Sequence, residues 1–133
     1  MVVFGAGEKV RLRMRADDFR RMALALEGVI ESAHMGHPDF RVGNRIFATL
    51  HAGDRFGMVA LTPEQQRELL DEHPAMFSPE AGAWGRGGST RVDLAAAQEE
   101  VIGEALTLAW QNTIRKNNEK RSRGKPSGKP ARK

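Results

Sequence analysis

The period of the apolar positions changes along this chain. Phe19, Met22, Ala23 and Leu26 recur at i, i+3, i+4 and i+7, the single stripe of an amphipathic helix. Asp17 and Asp18 fall in its first turn, where the helix dipole favours acids, and Gly28 is placed to end it. Extended runs then take over at residues 29–35, 40–42, 45–50 and 55–61. The connectors Gly36-His37-Pro38, Gly43-Asn44 and Ala52-Gly53-Asp54 are short enough for an antiparallel meander. Gly43-Asn44 is the sharpest of them, because both residues tolerate the positive φ of a primed hairpin turn. In the run after it, simple alternation puts Ile46, Ala48 and Leu50 on one face and Phe47 and Thr49 on the other.

The helical period returns at Thr62-Pro63-Glu64-Gln65. Thr62 can cap, Pro63 suits the first helical position, and Gln65 completes a capping box. That helix is expected to run to about His73 and stop before Pro74. Residues 75–88 read as a Gly/Pro-rich loop and 89–94 as a last strand. A final helix is predicted from about Ala95 to Asn112, with Val101, Ala105, Leu108 and Ala109 as its buried stripe. The order of elements is α+β: an antiparallel sheet of about five strands with helices packed on one face.

A length of 133 residues supports one domain with a modest core. Hydrophobic residues at 40% and charged residues at 29% fit a soluble globular protein. Cysteine is absent, which excludes a disulfide framework, a thiolate nucleophile and a Cys-based zinc site. No apolar run nears the roughly 20 residues of a membrane span, and the first residues lack the basic n-region of a signal peptide. A cytoplasmic monomer that does not engage the membrane is expected. Residues 1–14 read as an upstream extension with Met14 as the natural start, or as a short strand through Val10, Leu12 and Met14.

The net charge of +4 conceals a segregation. Residues 115–133 hold nine Lys/Arg against Glu119 alone, a net of +8, whereas residues 1–114 hold 12 basic and 16 acidic residues, a net of −4. Beyond Lys116 apolar side chains are too few to offset ordering entropy, so 115–133 is expected to be a disordered basic tail following a domain at 15–114. A flexible cationic segment associates with polyanions, and its affinity falls steeply with salt.

Taken together, several motifs resemble the MmcQ/YjbR family of small bacterial proteins. They are Leu26-Glu27-Gly28-Val29-Ile30-Glu31, then Gly36-x-Pro38-x-Phe40-Arg41-Val42, then Ile46-Phe47-Ala48. Leu69-Leu70, Pro74-x-x-Phe77, Trp84-Gly85, Val92-x-Leu94, Ala105 and Trp110 follow in the family's order, so the likeness covers residues 14–114. The resemblance implies a frataxin-like (CyaY-like) α+β fold and a DNA-binding role through a "double wing" of strands and loops. It supplies no catalytic residues.

The residues that would carry DNA binding are arginines near turns and the basic end of the chain. Arg41 and Arg45 flank the hairpin turn and Arg55 opens the next strand, each able to meet phosphate through a bidentate guanidinium. Trp84-Gly85-Arg86-Gly87-Gly88-Ser89-Thr90-Arg91 adds two more arginines and an aromatic ring that can stack on a base, without the Lys-Ser/Thr of a phosphate-binding P-loop. Lys116, Lys120, Arg121 and Arg123 begin the basic segment. The expected function is weak, sequence-nonspecific DNA binding by a non-enzymatic protein. Two other readings stand beside it: a protein-interaction module anchored by Trp84 and Phe77, and a small-ligand or metal-binding protein in the frataxin manner. For the last, His34, His37, Asp39 and His51 are the candidate ligands, while Asp17, Asp18 and Glu27 are too few for an acidic ridge. Neither a cofactor nor a metal is expected.

Overall fold

The computed structural model describes residues 14–124. Helix α1 (Ala16–Leu24) leads into strands β1 (Val29–His34), β2 (His37–Val42), β3 (Arg45–Leu50) and β4 (Phe56–Ala60). Helix α2 (Pro63–Glu72), strand β5 (Phe77–Pro79), the short helix α3 (Gly82–Arg86) and strand β6 (Ser89–Asp93) follow. A 3-10 turn at Leu94–Ala96 then precedes helix α4 (Glu99–Gly124). The sheet has six antiparallel-paired strands in the order β1-β2-β3-β4-β6-β5. The class is α+β, with one strand more than expected. That strand is β5, which lies within the segment read as loop. It is three residues long, ends in a proline and occupies an edge, where a missing N–H costs no ladder bond.

β1–β4 form the expected meander. β1 and β2 are joined by Met35-Gly36, both with positive φ, so His37 and Pro38 belong to β2 and not to the connector. The β2–β3 turn is Gly43-Asn44 as expected, at φ of 59° and 67°. α2 starts with the expected reciprocal capping box: Gln65 N–H donates to Thr62 Oγ1 at 3.1 Å and Thr62 N–H to Gln65 Oε1 at 3.0 Å. The chain then crosses to β5, and β6 returns between β4 and β5.

Helices α1, α2 and α4 share one face of the sheet. Phe19 of α1 meets Phe40 edge-on at 6.1 Å and lies over Gly57, where a Cβ would come within 3.2 Å of its ring. Gln66 of α2 donates to the hydroxyl of buried Thr90 on β6. On α4 the buried positions are Ile102, Ala105, Leu106 and Ala109, continued by Asn112 and Thr113. The stripe is therefore centred one position later than expected, with Val101 and Leu108 only half-buried at its margins. The two polar members are satisfied: Asn112 Nδ2 donates to Ala60 O at 3.2 Å and to Gln65 Oε1 at 2.8 Å, and Thr113 Oγ1 donates to Ala109 O.

β3 breaks its own alternation. Phe40 pairs with Ala48, yet Arg41 pairs with Ile46, so Phe47 is an extra residue without an opposite number. Such a bulge turns both of its residues to one side, and Phe47 and Ala48 are both fully buried. Parity reverses beyond it. The expected grouping of Ile46 with Ala48 and Leu50 therefore fails: Ile46 faces away from the helices, while Arg45 faces α4.

α4 spans 26 residues, roughly 39 Å at 1.5 Å per residue, and continues to Gly124. The expectation of a disordered segment from residue 115 is corrected over 115–124, which is helical. Adding a turn to an existing helix costs little, and cations near a helix C-terminus complement its dipole. The remainder of that segment, and the first thirteen residues, lie outside the described residues. Among the described residues no helix is long and apolar enough to cross a membrane.

Candidate functional site

The sheet has a second face that these three helices leave open. Thr49, Met58 and Ser89 lie on it, with Ile46 and Ala60 at the end where β3 begins and β4 finishes. Trp84 of α3, 78% exposed, stands at its side. Together they shape a groove of about 620 Å³, closed at its far end by Arg45 and by Asn112, Thr113 and Lys116 of α4. It continues across Thr49, Met58 and Ser89 to a smaller hollow of about 340 Å³ that ends at His51 and Glu80.

A third concavity, about 690 Å³, adjoins the groove through Arg45. It lies between the Gly43-Asn44 turn and the last turns of α4 and is lined by Asn117, Lys120 and Arg121. Asn117 fastens the two elements. Its Nδ2 donates to Val42 O at 3.1 Å and its Oδ1 accepts from Arg45 Nε at 3.2 Å. Glycine suits position 43: its φ is +59°, and a Cβ there would sit 2.5 Å from Asn117 Nδ2 and push that side chain out of place. Lys116 and Lys120, one turn apart, thus run beside the hairpin that the sequence places some seventy residues earlier. No residue lining this cleft is acidic.

The candidate arginines are sorted into two kinds. Arg41 is bound by buried Asp39, at 2.8 Å and 3.2 Å, and that hydrogen bond raises its pKa above the usual arginine value. Arg55 is held in the same forked way by Asp93, at 3.2 Å and 3.1 Å. The Arg55 hydrogen bond, helped by the Ala95 N–H and opposed by burial, lowers the Asp93 carboxyl. Arg55 and Arg91 both lie against the Phe56 ring, at 5.0 Å and 4.7 Å, and Arg91 also comes within 3.9 Å of Glu80. Arg45, Arg86, Lys116, Lys120 and Arg121 form no ion pair among the described residues. Arg86 is exposed on α3 and lines neither the groove nor the cleft. The side chain of Arg123 lies outside the described residues.

The other candidates are also dispersed. Phe77 is 3% exposed and stacks edge-on with His73, so it belongs to the core and cannot anchor a partner. His51 Nε2 and Glu80 Oε2 are hydrogen-bonded at 2.7 Å, and Asp39 is committed to Arg41. The side chain of His34 lies outside the described residues. Among the described residues no group of three or more His, Cys, Asp or Glu side chains is placed to hold a metal. Asn117 is the residue that sequence reasoning missed. Its one signal is an asparagine pair, Asn117-Asn118, in a segment otherwise rich in helix formers.

A six-stranded antiparallel sheet, covered by helices on one face, carrying a groove on the other and a basic cleft where its β2–β3 turn meets α4, defines a small α+β protein with one uncovered sheet face. The profile of the YjbR family matches residues 24–112, and the chain belongs to that family. No curated protein matches the chain. Among solved structures it is similar to the crystal structure of Deinococcus radiodurans protein DR2400, a DUF419 domain. The identity is 21% and the TM-score 0.67, over 80% of this chain and 82% of that one. At that identity the likeness shows the fold.

Proposed function

We propose that the protein is a non-enzymatic DNA-binding protein, weak and nonspecific in sequence, that seats backbone phosphates in the cleft between the β2–β3 turn and α4. One observation carries this reading: α4 brings Lys120 and Arg121 alongside Gly43-Asn44-Arg45 in a concavity whose lining holds no carboxylate, with Lys116 beside Arg45 in the adjoining groove. Phosphate contacts by Lys and Arg supply affinity without sequence information. Arg41 and Arg55 are tied to Asp39 and Asp93, so their part is to shape the sheet face, with Arg91 held beside Phe56. The bulk of a body whose first 114 residues are net negative contributes repulsion, and the basic helix end concentrates the attraction locally.

The test is duplex DNA binding as a function of salt. The full chain is compared with the triple variant Lys116→Ala, Lys120→Ala, Arg121→Ala, and with Arg41→Ala. The triple variant should flatten the log–log salt slope by about 0.9 for each contact removed, whereas Arg41→Ala should leave the slope unchanged. No binding by the full chain at low salt, to duplex or to single strand, rejects the reading. A truncation for this purpose must end at Gly124, because stopping at Ile114 removes Asn117 and releases the hairpin.

A protein-interaction module is the second reading, favoured by the exposure of Trp84 beside an apolar groove. Burial of Phe77 removes the other half of that anchor.

A further inference from the structure

We propose that the nucleic acid this site takes is single-stranded, with an unpaired base stacked on Trp84 in the sheet-face groove while its flanking phosphates occupy the basic cleft. The proposal rests on the DNA-binding reading above and names the form of DNA. Groove and cleft meet at Arg45, and Lys116 lines the groove at that end. Cationic side chains thus give way directly to apolar and aromatic ones. A polymer that alternates phosphate with a flat, weakly polar ring complements that sequence of surfaces. A duplex does not: its base faces are stacked inside, and it would engage the cleft alone.

Trp84 is mounted rigidly. Gly85, the next residue, is packed so tightly that a Cβ would lie 1.8 Å from Glu80 O. Gln66 of α2 donates to Gly85 O at 3.0 Å and to Ser89 O at 3.1 Å, tying the C-terminal end of α3 and the start of β6 to α2. The backbone that carries the ring is thus held in place, so the freedom lost when a base stacks is that of the side chain alone. The floor opposite, Ile46 and Met58, is half-buried and apolar, and the hydroxyls of Thr49 and Ser89 border it. A volume of about 620 Å³ admits a base with its sugar. Contacts of this kind stack any base, which fits a site without sequence preference.

The experiment measures anisotropy of a labelled dT12 strand, the same strand with its central bases removed, the corresponding duplex, and competition by free dTMP. The proteins are the full chain, Trp84→Ala, Trp84→Phe, and the double variant Lys120→Ala, Arg121→Ala. Of the two tryptophans, Trp110 donates its Nε1–H to Glu27 O at 2.9 Å, so Trp110→Phe leaves Trp84 as the reporter of stacking by fluorescence quenching. The single strand should bind roughly tenfold tighter than the duplex or the abasic strand and quench Trp84. Trp84→Ala should remove that preference, Trp84→Phe should keep most of it, and the double variant should weaken single strand and duplex alike. Equal binding of single strand and duplex with no quenching overturns this inference while leaving the DNA-binding reading intact. Absence of binding to every strand overturns both. Free dTMP competing as well as dT12 would make the groove a mononucleotide site and overturn the inference. So would a dimer in sedimentation that Trp84→Ala dissolves, because the groove would then belong to a second copy of the chain.

Discussion

The two faces of the sheet are built from the same strands and do opposite things. On the covered face Phe40, Leu50, Val59 and Val92 are sealed under α1, α2 and α4, with Phe19 lying between helix and sheet. On the open face the same strands present Thr49 and Met58, an Arg41–Asp39 pair, and two guanidiniums over Phe56. A strand in a one-sided sheet is expected to alternate this way, and the departure from alternation is the informative part. The bulge at Phe47 places two consecutive side chains in the core, which gives the covered face an extra aromatic ring. The same bulge reverses parity at Arg45, so that this arginine reaches α4 and Asn117 instead of the open sheet. One inserted residue thus adds to the core and sets the position of the cation shared by groove and cleft.

If the division is real, substitutions on the two faces separate stability from binding. Phe19→Ala should show the largest effect, a loss of about 3–5 kcal/mol in urea denaturation, because it leaves a cavity between α1 and the β2–β4 surface. Trp84→Ala, which removes an even larger ring, should change stability by less than about 0.5 kcal/mol, since that ring is already in water. Comparable losses from the two would mean that α3 and its groove belong to the core.

Asn117→Ala probes the seam between the faces and should be intermediate. It removes both hydrogen bonds between α4 and the hairpin, for a loss of about 1–2 kcal/mol by denaturation. DNA affinity should fall several-fold in the same variant, although no charge has been removed. A change in stability without a change in affinity would separate the cleft from binding.

How much of this was legible beforehand depended on whether the cause was local. The capping box at Thr62, the Gly43-Asn44 turn and the β1–β4 meander follow from residue types a few positions apart, and the structure has them as read. β5 was hidden because three residues ending in Pro79 carry no periodicity, and its place is set by pairing with β6. The bulge was hidden because nothing in Ile46-Phe47-Ala48 signals an extra residue; it is fixed by the pairing of β2 with β3 and by the space under the helices. The helical continuation beyond Ile114 was hidden because it has no apolar stripe, and its anchor is a polar contact to a turn more than seventy residues away. The same contact joins two stretches that looked like separate candidates, the hairpin arginine and the basic segment. The arginines were visible as cations, whereas the carboxylates that occupy Arg41 and Arg55 required the register of the strands.

A last effect, smaller than that of Asn117→Ala, distinguishes the faces by their response to acid. Asp93, paired across the sheet with Phe56, accepts from Arg55 and from the Ala95 N–H that opens the turn into α4. The first of these bonds is the main reason that its pKa lies below the usual carboxylate range, and the backbone N–H of Arg15 does the same for Asp18. A carboxylate with a depressed folded-state pKa adds stability above its unfolded value and loses it as pH falls through the lower folded value. Asp93→Asn should therefore cost up to about 1 kcal/mol at neutral pH, because Asn still caps the turn but gives up the charge of a partly exposed ion pair. The cost should hold down to the ordinary carboxylate range and shrink toward zero in stronger acid. The loss from Phe19→Ala should persist across the same titration, since burying a phenyl ring moves no proton. Denaturation midpoints of the two variants and the parent, measured through that range, check both. A cost for Asp93→Asn that does not change with pH would mean that the Asp93 side chain acts through its shape and not its charge, and the open face would then contribute no electrostatic stability at this position.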